Sequence, residues 1–179
     1  MTVAPHTGQI VESGAPAPAE PIEPARHFTW QSEDDTAAFA GRLAAQPQLA
    51  NAFVTLHGDL GAGKTTLVRH LLRALGVQGR IKSPTYAVVE PHDAPGLAPH
   101  PTVWHFDFYR FDDPREWEDA GFRDIFANPG LKLAEWPEKA AALTPPADLA
   151  IHIEAIDDTT RTITVHAHTA NGLQMLQGL

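Results

Sequence analysis

At 179 residues, with 43% hydrophobic side chains, the chain is long enough to build one domain around a real core. Its formal charge of -9 disfavours tight non-specific binding to nucleic acid, and the absence of Cys excludes a disulfide framework and a thiolate metal site. No stretch approaches the roughly 18 uninterrupted apolar residues of a membrane span. The Pro/Ala-rich start has neither a basic n-region nor an apolar h-region, so no secretory signal is expected and the cytoplasm is the expected compartment.

In chain order, residues 1–26 carry Pro5, Pro16, Pro18, Pro21 and Pro24 among Ala, Glu and Gly, and this composition predicts a disordered tail. Residues 27–179 read as a single domain. His27-Phe28-Thr29-Trp30 is a short strand, and Ser32, three residues before Asp35, opens a helix that runs to about Ala45. Ala52 to Leu56 is an apolar run of a buried strand. The periodicity of Thr66 to Leu75 predicts a helix stopped by Gly76. Tyr86 to Glu90 reads as a strand, Pro91 to Pro101 as a surface connection, and Thr102 to Phe108 as a further strand. Short helical pieces follow between Pro114 and Phe126, then strands at Leu131–Glu135, Leu149–Ile153 and Arg161–Val165, the last two flanking a turn at Asp157 to Thr160.

Between the second strand and its helix lies Gly58-Asp59-Leu60-Gly61-Ala62-Gly63-Lys64-Thr65, which fits the spacing G-x-x-x-x-G-K-[ST] at every constrained position. Backbone N–H groups can wrap a phosphate chain only where no side chain blocks the approach and positive φ is accessible, hence the glycines. Lys64 supplies a positive charge for the β and γ phosphates, Thr65 a hydroxyl for Mg²⁺, and the following helix an N-terminus that favours anions. The expected ligand is a nucleoside triphosphate.

A phosphate cradle does not specify chemistry, which depends on the acids around it. Two strands finish in a carboxylate, Asp107 and Glu135, at the end of an α/β sheet where ligands bind. One carboxylate suffices with Thr65 to hold Mg²⁺, directly or through water, and the other is free to orient water or act as a base. The residues alone do not divide these tasks. Ser83-Pro84-Thr85-Tyr86 reads either as an ordinary turn or as a switch-like loop whose Thr85 hydroxyl reaches the γ-phosphate region. Arg69, Arg73, Arg80 and Lys82 read as a solvated face, with a local docking patch as the alternative. Trp136 reads as strand-end packing, with contact to the base or a partner as the alternative; His166 and His168 read as a solvated strand face, with metal ligation as the alternative; and Arg110 and Arg161 stay undecided.

Taken together, Gly58 to Thr65, Ser83-Pro84-Thr85-Tyr86, His105-Phe106-Asp107-Phe108-Tyr109-Arg110 and Glu135-Trp136-Pro137-Glu138 resemble, in order and spacing, the bacterial TsaE (YjeE) family of small P-loop ATPases. The resemblance spans roughly Phe28 to Val165. It implies an α/β fold, a P-loop NTPase-like three-layer sandwich with a central mixed β-sheet flanked by helices. It also implies an ATPase required for threonylcarbamoylation of adenosine 37 (t6A) in tRNAs reading codons that begin with A, working with the TsaB and TsaD subunits and touching tRNA only indirectly.

Carried onto this chain, the resemblance implies ATP contacts from Gly58, Asp59, Gly61, Ala62, Gly63, Lys64, Thr65 and Thr66, and further from Thr36 and Glu138. Mg²⁺ falls to Thr65 and Glu135, and the catalytic region to Asp107, Glu135 and Thr85. Two other classes use the same cradle: a small-molecule kinase, and a non-catalytic switch selecting partners by nucleotide state. The missing Arg-rich lid segment after the loop helix favours the accessory ATPase over the kinase.

Overall fold

The computed structural model describes residues 19–22 and 25–179, so most of the expected disordered tail lies outside the described residues. The elements run β1 (Arg26–Trp30), α1 (Glu33–Ala44), β2 (Phe53–His57), α2 (Lys64–Ala74), β3 (Val89–Asp93), β4 (Thr102–Asp107), α3 (Pro114–Asp119) and α4 (Phe122–Ala127). They continue with β5 (Leu131–Glu135), β6 (Leu149–Ala155), β7 (Arg161–Ala167) and α5 (Ala170–Gln177). Seven strands form one sheet in the order β1-β7-β6-β2-β5-β4-β3. The four central strands β6, β2, β5 and β4 are parallel, while β1, β7 and β3 join antiparallel, giving the mixed sheet expected.

Side chains that alternate along the central strands build a separate core on each face. Val54, Leu56, Val103, Leu131 and Leu133 pack with Phe39 and Leu43 of α1, Leu67, Leu71 and Leu72 of α2 and Met175 of α5. On the other face Phe53, Phe106 and Ala134 meet Trp117 of α3 and Phe122 of α4. Phe106 and Phe122 sit edge to face with centroids 5.4 Å apart, a geometry that aromatic rings favour beyond simple burial. Helices therefore cover both faces of the sheet, and the parallel strands, buried on both sides, read as nearly continuous apolar runs. Among the described residues no helix is long and apolar enough to cross a membrane.

The strand expected at Tyr86 to Glu90 is displaced. Val88 N–H bonds the Pro84 carbonyl at 2.7 Å and Val88 takes a φ of 66°, so residues 84–88 form a turn with Tyr86 exposed, and pairing begins only at Val89. β3 then runs into the stretch read as a connection. Its Pro91 is tolerated because β3 is an edge strand with one side free of ladder bonds.

At α1, Ser32 occupies the N-cap but its hydroxyl makes no capping bond. Instead the Asp35 carboxylate reaches back to the Gln31 N–H at 2.8 Å. β1 starts at Arg26, and Ile22 N–H already bonds the Ala167 carbonyl at 2.9 Å, so the ordered chain begins slightly earlier than composition suggests.

Candidate functional site

β2 delivers the chain to Gly58 at the carboxyl end of the sheet. A Cβ at Gly58 would lie 2.4 Å from the Ile153 carbonyl oxygen, so only glycine lets the loop pass β6 this closely. Gly63 turns the chain into α2 with a φ of 112°, leaving the first N–H groups of the helix directed into the loop. The Arg161 guanidinium braces the outside, donating to the Ala62 carbonyl at 2.8 Å while also holding the Asp157 and Thr160 carbonyls.

Lys64 is 4% exposed, and its ammonium donates to the Gly58 carbonyl and, at 2.9 Å, to that of Asp59. The same nitrogen lies 4.1 Å from the centre of the Trp136 ring. Burial pushes its pKa below the usual lysine value, with Glu135, Glu138, Asp107 and Asp59 pulling the other way. The loop thus holds a costly buried cation that an anion would neutralise.

The parallel register of β4 and β5 sets Asp107 beside Glu135, and both carboxylates are buried. Thr65 Oγ1 donates across both oxygens of Glu135, at 3.0 and 2.9 Å, and His105 Nε2 lies 2.9 Å from Glu135 Oε1. Asp107 faces the loop after α2. It accepts from the Ser83 hydroxyl, from Thr85 Oγ1 at 3.3 Å and from Tyr109 N–H at 2.9 Å.

A cleft of about 310 Å³ brings together Gly61, Gly63, Lys64, Thr65, Thr66, Thr85, Asp107 and Glu135, with Trp136 and Tyr109 forming an aromatic wall. Beyond Gly63 and Thr66 a second cavity of about 360 Å³ is lined by Trp30, Glu33, Thr36 and Arg161. The indole N–H of Trp30 is buried without a hydrogen-bond partner among the described residues.

The model of the family described as threonylcarbamoyl adenosine biosynthesis protein TsaE matches residues 30–163, well over half of the chain. The chain belongs to the TsaE family. It is 44% identical to the tRNA threonylcarbamoyladenosine biosynthesis protein TsaE of Haemophilus influenzae over 123 residues, covering 69% of this chain and 75% of that one. Identity to the protein of the same name from Bacillus subtilis is 34% over 153 residues, covering 84% and 92%. The crystal structure of Bacillus subtilis YdiB superposes with a TM-score of 0.64 at 24% identity, covering 86% of this chain and 92% of that one, which shows the shared fold.

Within this TsaE-family chain, Thr36 borders the second cavity rather than the cleft, while Gly58, Asp59 and Ala62 line a hollow on the β6 side of the loop and not the cleft itself. Glu138 lies elsewhere. Its half-exposed carboxylate is 4.0 Å from His57 Nδ1 and borders an apolar groove with Phe53, Pro145 and Pro146, so it reaches Lys64 through its field alone. Trp136, read as packing, stands over Lys64, and Arg161 clasps the loop. Neither role has a local signal in sequence. His105 had one: lying two residues before Asp107 on a strand, it shares that residue's face of the sheet. Arg73, from the basic stretch, donates to the Val77 and Gly79 carbonyls and closes the end of α2.

His57, the last residue of β2, stacks on His152 with ring centres 4.3 Å apart, near His166 and His168. Burial first, and then the neighbouring His152, lower its pKa from 6.5 to about 4. Above pH 6.5 both folded and unfolded forms are neutral here. Between 6.5 and 4 only the unfolded chain takes up the proton, so acidification removes stability, by at most about 3 kcal/mol at pH 4. Urea unfolding at pH 7, 5 and 4 is expected to show this fall, and His57→Asn to flatten it. Equal acid slopes in the two proteins would assign the loss to other groups.

Proposed function

We propose that this chain is an ATP-binding, ATP-hydrolysing subunit required for t6A formation on tRNA, acting with TsaB and TsaD. The observation that carries the reading is the convergence of a glycine-lined loop, Lys64, Thr65 and two buried carboxylates on one cleft. Family membership supports the pathway, since the relatives carry the name of tRNA threonylcarbamoyladenosine biosynthesis protein. Cytoplasmic location follows from where tRNA and ATP meet.

The residues present fit a Mg²⁺-bound triphosphate. The loop N–H groups and Lys64 supply anion contacts, and the hydroxyl and carboxylate oxygens of Thr65 and Glu135, already 2.9 Å apart, form the hard oxygen set that Mg²⁺ prefers. A Mg²⁺ held by Thr65 and Glu135 would supply neutralisation of charge on the phosphate oxygens. Lys64 turns from its own carbonyls to the phosphates, the N-terminus of α2 stabilises charge that develops during transfer, and Trp136 keeps water from the ammonium. Asp107 holds the loop bearing Thr85, and is placed to accept a proton from, or orient, the attacking water. The cavity lined by Trp30 and Thr36 takes the nucleoside, with adenine favoured by the family resemblance.

Exposed Leu60 and Tyr109 edge the cleft, so a partner docked there would sense the state of the nucleotide. This fits an accessory subunit slow in isolation. Calorimetric titration with Mg·ATP is expected to show saturable binding, and addition to TsaB and TsaD to raise the number of modified tRNAs made per complex. Binding without any gain in modification would remove the pathway role and leave the nucleotide site. Absence of binding, alone or in the complex, would remove both.

A further inference from the structure

His105 is a buried polar side chain to which the proposed chemistry gives no task. Its ring is fully buried on β4, two residues behind Asp107, and Nε2 points at Glu135 Oε1 from 2.9 Å. An ionised carboxylate only accepts, so Nε2 carries the proton and donates. The other nitrogen, Nδ1, is buried with no hydrogen-bond partner among the described residues, and the His92 ring has its centre 6.3 Å away. An orphaned buried nitrogen costs stability, so folding alone would favour an apolar residue at this position. What the imidazole adds is a single N–H aimed at one oxygen of Glu135.

That oxygen matters because Thr65 Oγ1 contacts both Glu135 oxygens almost equally, at 3.0 and 2.9 Å, and so does not itself fix the carboxylate. We propose that His105 is a positioning residue whose Nε2–H pins Glu135 Oε1 from the buried side, fixing the carboxylate plane so that Oε2 stays with Thr65 at the cleft for a divalent cation. The inference rests on the reading that Thr65 and Glu135 receive Mg²⁺. Carboxylate ligands are commonly held in this way by a hydrogen-bonding partner behind them, whose loss weakens metal affinity about 10- to 100-fold.

The test uses the full chain and reads ATP affinity by calorimetry across a Mg²⁺ series, beginning in EDTA. H105L removes the donor and H105Q keeps an amide N–H on the same side. H105L is expected to raise the Mg²⁺ concentration for half-maximal strengthening of ATP binding by about 10- to 100-fold, with ATP affinity in EDTA unchanged within about threefold. H105Q is expected to return the midpoint to within about threefold of the parent. In an E135Q background, H105L is expected to add no further shift, because the charged carboxylate that His105 orients for the cation is already gone.

An unchanged midpoint in folded H105L overturns the proposal. So does H105Q as impaired as H105L, or a further shift in the E135Q background. If H105L does not fold, H105M takes its place under the same criteria, with thermal unfolding as the check on the fold. A parent protein that binds ATP neither in EDTA nor with Mg²⁺ overturns the underlying site reading instead.

Discussion

Lys64→Ala is expected to weaken Mg·ATP binding at least about 100-fold, a loss of about 2.8 kcal/mol at about 1.4 kcal/mol per tenfold. Two unit charges about 4 Å apart attract by about 4 kcal/mol at an effective dielectric constant of 20, and a triphosphate presents several. Part of that gain is spent in breaking the present contacts of the ammonium with the Gly58 and Asp59 carbonyls, which keeps the expected loss below the full Coulomb sum.

The unliganded fold should respond in the opposite sense. Burial depresses the pKa of Lys64, so between that lowered value and 10.5 the unfolded chain binds more protons and stability rises with pH. Removing the side chain deletes this alkaline gain while relieving a buried charge at neutral pH, and the unfolding midpoint should move by only a few degrees, about the effect of 1 kcal/mol or less. Lys64→Met, which keeps the apolar stem against Trp136, separates charge from packing. Near-parental Mg·ATP affinity in the Met variant would show that the ammonium does not grip the phosphates.

The phosphate loop was legible because its constraints are local. Each glycine answers to a backbone conformation or a close approach, and the strand and helix on either side carry their own periodicities. The two strand-end carboxylates were legible for a related reason, since an apolar run ending in an acid marks where a sheet stops and a site begins. β3 was misplaced by three residues because Tyr86-Ala87-Val88 has strand composition, while the turn is closed by the Pro84 carbonyl and a positive φ at Val88 that composition does not encode.

Helix α5 drew no assignment from sequence, and its Asn171-Gly172 pair has the composition of a turn rather than of a helix. The glycine is there for space, as a Cβ would lie 1.9 Å from the Asp148 carbonyl oxygen, and the helix is started by Thr169, whose hydroxyl accepts from Gly172 N–H at 3.0 Å. The contacts that complete the site, Trp136 over Lys64 and Arg161 on the Ala62 carbonyl, span many residues of sequence. Such contacts depend on strand order, and strand order was not readable from one chain. The same limit hid the position of Glu138, which follows Trp136 at αL φ and is carried by the short 3-10 turn Pro137–Ala140 away from the cleft.

Glu135→Gln is expected to lower ATP hydrolysis by about 10²- to 10³-fold, the scale on which a single preorganised electrostatic partner acts in a buried site. ATP affinity in EDTA should be unchanged, because Glu135 contacts Thr65 and His105 and none of the loop N–H groups. Gln is the informative replacement. Ala would leave the Thr65 hydroxyl and the His105 N–H without an acceptor in a buried place, costing about 1–3 kcal/mol and confusing stability with function. Gln keeps the shape and one acceptor oxygen while losing the charge that Mg²⁺ requires.

Asp107→Asn is the companion. Asp107 accepts from Ser83, Thr85 and Tyr109, so losing one acceptor oxygen should loosen the loop at residues 83–85 and slow hydrolysis without moving the Mg²⁺ midpoint. The two acids are thereby distinguished by one titration: the midpoint shifts for Glu135 and stays for Asp107. Hydrolysis at the parental rate in both variants would strip both carboxylates of their assigned roles, whereas a shifted midpoint in the Asp107 variant alone would exchange them.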